Sequence, residues 1–205
     1  MVVDNITKEV IKNEYMDLKE AFNESRVKIE RCTPTEGNLL LLKFTVKAKT
    51  HYITSVNTTN PIETDEIVFY INVPNGYPKS KPLVYYPKDK MLASVNAFTS
   101  GNQCIDDWHF DEHNAGNNSN LLVVARKTIM DIIHNPAVAR FDSMANSALK
   151  DWQKAGINRG EFPTCRLDLL FKSEKSIAEG RAGIKPGLPV RPTKSVEAGP
   201  PLPKR

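Results

Sequence analysis

The feature that most constrains this chain is a change of hydrophobic period. Over residues 7–24, Ile11, Tyr15, Leu18 and Phe22 recur at spacings of four, three and four with charged residues between them. That recurrence predicts an amphipathic helix. The period then drops to two. Val27 and Ile29 alternate with charged residues up to Cys32, and the turn T-P-T-E-G-N follows. Leu40, Leu42, Phe44 and Val46 alternate again, and Ile67, Phe69, Ile71 and Val73 give the cleanest alternating run of the chain. Successive strand positions point to opposite faces, so each run predicts a strand with one apolar side. A polar connection is expected over residues 47–65, and P-N-G-Y-P leads into a short strand over 83–86. One helix and then four strands on short links predict an α+β domain, an antiparallel meander covered by the helix.

The next apolar helix comes only after a loop, S-V-N-A-F-T-S-G-N-Q-C-I-D-D-W, over residues 94–108. This loop holds Cys104, with Asn96 eight residues before it, Gly101 three before and Asp106 two after. An amide, a thiol and a carboxylate on one irregular segment mark it as the candidate site, because chemistry concentrates on loops held by a rigid scaffold. A helix is predicted over 121–133 with Leu122, Ile129 and Ile133 on one side. Asn118, Ser119 or Asn120 would cap its start and Asn135-Pro136 end it. A further helix over 142–154 would place Met144, Ala148 and Trp152 at i, i+4 and i+8, with Gly156 as its stop. Residues 167–171 are a small apolar cluster, and 173–181 read as a short helix. From Ile184 the chain is proline-rich with few large apolar residues, which predicts extended disorder. The expected division is therefore a catalytic-type domain over 1–155, a basic extension over 156–183 and a proline-rich tail over 184–205.

Composition narrows the function class. No apolar run approaches the roughly 18 residues of a membrane span, and the N-terminus lacks a signal-peptide pattern. Three cysteines, odd in number and far apart, do not suggest a disulfide framework, so a reducing cytoplasm and a free thiol at Cys104 are expected. The net charge of +4 is carried by the C-terminal quarter, where ten Lys and Arg face five Asp and Glu from Gly156 onward. Those cations are spread thinly without interleaved aromatics, which predicts a solvated tail and neither a nucleic-acid nor a membrane partner. Cys104, His109 and His113 form C-x4-H-x3-H, but the segment is loop-like and lacks a second ligand pair, so no metal is expected. A cysteine-protease arrangement would need His109, His113 or His134 as its base, and no family signature of that kind is present. His51 and His134 read as solvent-facing or core residues. No phosphate-binding glycine motif occurs, and no cofactor is expected.

Taken together, the order helix, four-strand meander, Y-P-x-x-x-P, loop cysteine, helix, helix resembles the ubiquitin-conjugating enzyme family over about residues 5–154. Tyr77-Pro78 with Pro82 resembles its tyrosine-proline turn. Asn96 falls where the family's His-Pro-Asn asparagine stands, with Ser94-Val95 in place of His-Pro. Gly101 and Cys104-Ile105-Asp106 resemble its Gly-x-x-Cys-Leu-Asp. Trp108 comes earlier than the family's tryptophan, the insert over 109–120 is longer than usual, and Lys79 replaces an aromatic that contacts RING-type ligases. These departures resemble divergent bacterial members of ubiquitin-like conjugation operons, some of which act in anti-phage defence. The resemblance implies an acyltransferase that takes the C-terminus of a ubiquitin-like modifier from an activating enzyme as a thioester on Cys104. A target protein's lysine amine would then receive it. Asn96 would donate to the developing oxyanion or hold the loop that does so. Asp106 matches the aspartate beside the family cysteine, and Asp142 lies roughly where the family has an acidic residue ahead of its last helices. Asp107 and Glu112 are further carboxylates near the thiol. A non-catalytic module of the same fold, gripping a ubiquitin-like protein through its sheet, is the alternative.

Overall fold

The computed structural model of the chain describes residues 5–105 and 120–173. In order these form α1 (Asn5–Ala21), β1 (Val27–Cys32), β2 (Asn38–Ile53), β3 (Ile62–Pro74), β4 (Leu83–Tyr85), β5 (Met91–Leu92), α2 (Leu121–Ile132), α3 (Lys150–Asn158) and α4 (Leu167–Leu170). The described residues belong to one compact unit; residues 174–205, and with them all but the first residue of the helix expected over 173–181, lie outside the described residues. The architecture is α+β. Strands β1 to β4 pair as antiparallel neighbours in chain order, and β5 pairs with β2 off that path.

The alternation of the sequence becomes the core. Ile67, Phe69, Ile71 and Val73 of β3 are fully buried, and so are Leu42, Phe44 and Val46 of β2. The register sets Phe44 opposite Phe69, and their rings stack with centroids 4.6 Å apart. The helix α1 and the residue that follows it lay Leu18, Ala21 and Phe22 on this face, and Phe22 meets Phe44 edge-on. Each Val, Leu, Ile or Phe side chain so removed from water contributes about 1.5–3 kcal/mol. Glu14 of α1 ties the layers together: it accepts from the Tyr77 hydroxyl and, at 2.9 Å, from the Leu121 backbone N–H. An orphan donor of the α2 N-terminus is thus satisfied by another helix. Burial pushes the Glu14 carboxyl up, against the lowering effect of those two hydrogen bonds. Of the three capping candidates, Asn120 is the N-cap and accepts from Val123 N at 2.9 Å. Asn118 and Ser119 lie outside the described residues.

Three expectations are corrected. The polar connection over 47–65 is largely strand, because β2 continues to Ile53 and β3 starts at Ile62, past a register shift between Lys47 and Thr50. The alternation runs on through Ala48 and Thr50, both buried, in small or polar side chains that mask it. Thr50 is tolerated there because its hydroxyl donates to the Ile132 carbonyl. The far end of β2 gains β5 as a partner, with Tyr52 opposite Leu92 and Ile53 opposite Met91. The helix expected over 142–154 is instead a 3-10 turn at Ser147–Leu149 running into α3. The backbone N–H groups of Ala145 and Asn146 donate to Val95 O at 2.8 and 3.0 Å, which holds that segment against the cysteine loop in place of a helical turn. Gly156 is inside α3, not at its end. A β-carbon there would lie 2.3 Å from the Phe162 ring, and the stop is Gly160, at φ +71°.

Beyond the expected boundary at 155, Cys165, Leu170 and Phe171 pack on the core. Leu170 is fully buried, and Phe171 stacks at a tilt on Phe22 with centroids 5.3 Å apart.

Candidate active site

The loop carrying Cys104 is a folded-back turn. Asn96–Ala97 lies against Gln103–Cys104: Cys104 N donates to Asn96 O at 2.7 Å, and Ala97 bridges to Gln103. Between them the chain reverses over 98–102, with Phe98 N donating to Asn102 O at 2.8 Å and Gly101 N to Phe98 O at 2.9 Å. Gly101 takes φ +92° and sits where a β-carbon would press on Tyr86 O at 3.0 Å. This reversal therefore needs glycine. The loop is moored to β4 by Gln103 N donating to Val84 O, and at its far end by Lys81 Nζ donating to Ile105 O at 2.6 Å. Val95 is held from the other side, its N–H by Gln153 Oε1 at 3.0 Å.

This mooring leaves Cys104 half-buried between two hollows. On the β4 side a groove of about 560 Å³ runs along Pro82, Leu83, Phe98 and Ile105. Leu83 and Phe98 are 45% and 42% exposed, so its apolar walls are open to solvent. On the α2 side lies a cavity of about 250 Å³, walled by Cys104, Asn96, Gln103, Asp131, Thr128 and Arg140.

Asp131 is the group in that wall that sequence reasoning missed. It is 1% exposed, and three neutral donors converge on it. Ser94 Oγ donates to Oδ1 at 2.6 Å, Asn96 Nδ2 to Oδ1 at 3.1 Å, and Gln103 Nε2 to Oδ2 at 2.7 Å. The Tyr86 hydroxyl donates to Gln103 Oε1 at 3.0 Å and so orients that amide. Burial drives the Asp131 carboxyl up to about 6, the three hydrogen bonds pulling the other way. A signal was present in the sequence. An aspartate in the last turn of α2 opposes the helix dipole, and with Thr128 it interrupts a stripe of Leu121, Val124, Ala125, Ile129 and Ile132.

The predicted site residues are only partly brought together. Asn96 lies against the Cys104 backbone, but both hydrogens of its amide are used, one on Asp131 and one on Val138 O at 2.8 Å. Its Oδ1 accepts from Arg140 N at 3.3 Å. Asp142 is exposed on an irregular segment, two residues past Arg140, and is not among the residues walling the cavity. Asp106, Asp107, His109, Glu112 and His113 lie outside the described residues. His51 and His134 find each other, with His51 Nδ1 3.3 Å from His134 Nε2. They pack among Trp152 and Phe162. Among the described residues no group of three metal-ligating side chains occurs, and no helix is long and apolar enough to cross a membrane. Compared with known family profiles and with curated proteins, the chain matches none of them.

Proposed function

We propose that this chain is a conjugating acyltransferase of the ubiquitin-conjugating type, acting in the cytoplasm. Cys104 takes the C-terminal acyl group of a ubiquitin-like modifier from an activating enzyme and passes it to a lysine amine of a target protein. The observation that carries the reading is the placement of Cys104. Its thiol-bearing residue is half-buried on a loop hydrogen-bonded to β4, α2 and α3, with an open apolar groove on one side and a polar cavity on the other. A thiolate is both a strong nucleophile and a good leaving group, so two acyl transfers through one sulfur need no partner base at the sulfur itself. The groove along Leu83 and Phe98 offers the acylated chain end a surface to lie on. The cavity offers the acceptor a separate approach. Of the two roles the resemblance implies for Asn96, the spent amide hydrogens favour holding the loop.

The test is incubation with the cognate activating enzyme, ATP and modifier. A reductant-sensitive adduct is expected on the parent chain, on Cys32→Ala and on Cys165→Ala, and none on Cys104→Ala. Cys104→Lys should trap a reductant-resistant isopeptide instead. Charging of Cys104→Ala at the parent's level would remove the assignment, and the absence of any adduct would favour a non-catalytic binding module.

A further inference from the structure

Asp131 presents a problem that its architecture does not require. Its carboxylate is fully buried, stands in the last turn of α2 where the dipole disfavours an anion, and among the described residues is met by three neutral donors and no cation. An asparagine would serve the same network. Its oxygen would accept from Ser94 and Asn96, and the Gln103 amide would turn over to receive its N–H, with the Tyr86 hydroxyl reversing in step. What the asparagine would lack is an acid–base group.

A carboxylate offers about four lone-pair sites. Oδ1 uses two, on Ser94 and Asn96, and Oδ2 uses one, on Gln103, among the described residues. One acceptor site on Oδ2 therefore remains, on a side chain that walls the same cavity as Cys104. We propose that Asp131 Oδ2 is the proton acceptor for the amine that attacks the Cys104 thioester, which makes the α2-side cavity the acceptor's site. This rests on the acyl-transfer reading above and adds a residue to it.

The step balances without a further reactant. The neutral amine attacks the thioester carbonyl carbon, forming the C–N bond and a tetrahedral intermediate with a positive nitrogen and a negative oxygen. Asp131 Oδ2 takes one proton from that nitrogen. The oxyanion collapses, the C–S bond breaks, and the Cys104 thiolate leaves and recovers the proton, giving amide, thiol and carboxylate. Among the described residues, the other titratable or charged groups around the carboxylate are Tyr86 beyond Gln103, and Cys104, Lys127 and Arg140 on the cavity wall. The carboxyl value near 6 suits the role, because a base poised close to working pH is both ionised and able to hold a proton.

The test avoids the unknown modifier. In a Cys32→Ala, Cys165→Ala background, Cys104 is acylated by exchange with a synthetic peptide aryl thioester ending in Gly-Gly. The adduct is then discharged with free lysine or with hydroxylamine, a weakly basic nucleophile that needs little help in losing its proton. In Asp131→Asn, discharge to lysine is expected to fall on the order of 100-fold, and discharge to hydroxylamine by less than about threefold. Equal losses, or no loss, overturn the base assignment. In the parent, which is measurable whether or not the variant folds, the logarithm of the lysine rate should climb with slope two below pH 6 and slope one above it. A slope of one throughout also overturns the proposal. A peptide that never resides on Cys104 would instead refute the acyl-transfer reading.

Discussion

Asp131 and His134 stand three residues apart where α2 ends, both almost fully buried, and their surroundings treat charge in different ways. Asp131 is met by three donors and borders the cavity beside Cys104. His134 is enclosed by Phe162, Trp152 and His51, at ring-centroid distances of 4.4, 5.3 and 5.3 Å. Its Nδ1 has no hydrogen-bond partner among the described residues, and its backbone takes φ +56°. Burial drives its imidazole down to about 3, with His51 adding to the effect, and lowers His51 as well. His134 is thus a neutral, sealed packing element beside the half-buried His51, and the carboxylate is an ionisable group kept beside a hollow. Burial alone does not mark a functional group. Convergent donors and an adjacent space do.

The largest effect that separates the two regions is expected from Phe162→Ala. It removes the ring that covers Gly156 and His134 and should lower stability by about 3 kcal/mol in urea unfolding. Alkylation of Cys104 by iodoacetamide should stay within about twofold of the parent in the folded protein. A large change in Cys104 reactivity would show that the sealed cluster and the site are one unit.

Asn96→Ala strikes the other region. It removes the partners of Val138 O and Arg140 N and one of the three donors to Asp131, which should cost about 2 kcal/mol. The variant should still accept an acyl group on Cys104 but discharge it onto lysine more slowly, as the loop loses one of its three ties to Asp131 of α2. Discharge at the parent's rate would show that Gln103 and Gly101 hold the loop unaided.

The smallest effect is the sharpest comparison, because the two groups pull stability in opposite directions with pH. The Asp131 carboxyl is raised from 3.8 to about 6, so its contribution favours the fold at low pH and is lost as pH rises through that window. His134 is lowered from 6.5 to about 3, so its contribution is complete above 6.5 and lost as pH falls toward 3. Between pH 6.5 and 5 the parent should therefore gain about 1 kcal/mol from Asp131 and lose about 2 kcal/mol from His134. Asp131→Asn should steepen the loss on acidification. His134→Asn, which tolerates the positive φ, should remove the larger part of it, leaving the gain from Asp131 set against the smaller loss from the lowered His51. Parallel stability–pH curves for parent and both variants would refute the contrast.

The strands and their order were legible in the sequence wherever large apolar residues alternate. Val27 to Cys32 is found as read, and the paired runs of β2 and β3 lie around Phe44 and Phe69 as their pattern predicts. Legibility failed where the period was carried by small or polar residues. Ala48 and Thr50 continue β2 unseen, because a threonine is identified as a core residue only once a carbonyl, here that of Ile132, is placed to receive its hydroxyl. It failed again at residues 142–149. A helical spacing of Met144 and Ala148 lost to two backbone hydrogen bonds onto Val95, a partner about fifty residues away.

For the site, the sequence alone determined the loop, its glycine and its thiol, since Gly101, Cys104 and Asn96 are set by local spacing and by the conformational needs of one tight reversal. Tertiary structure decided what those residues do. The Asn96 hydrogens go to Asp131 and Val138, and Asp131 is brought from α2 to the cavity wall, 27 positions from Cys104 in the chain. Asp142 stays in solvent. A local pattern specifies which backbone shape is affordable, but a buried charge is settled by how many donors from distant segments converge on it.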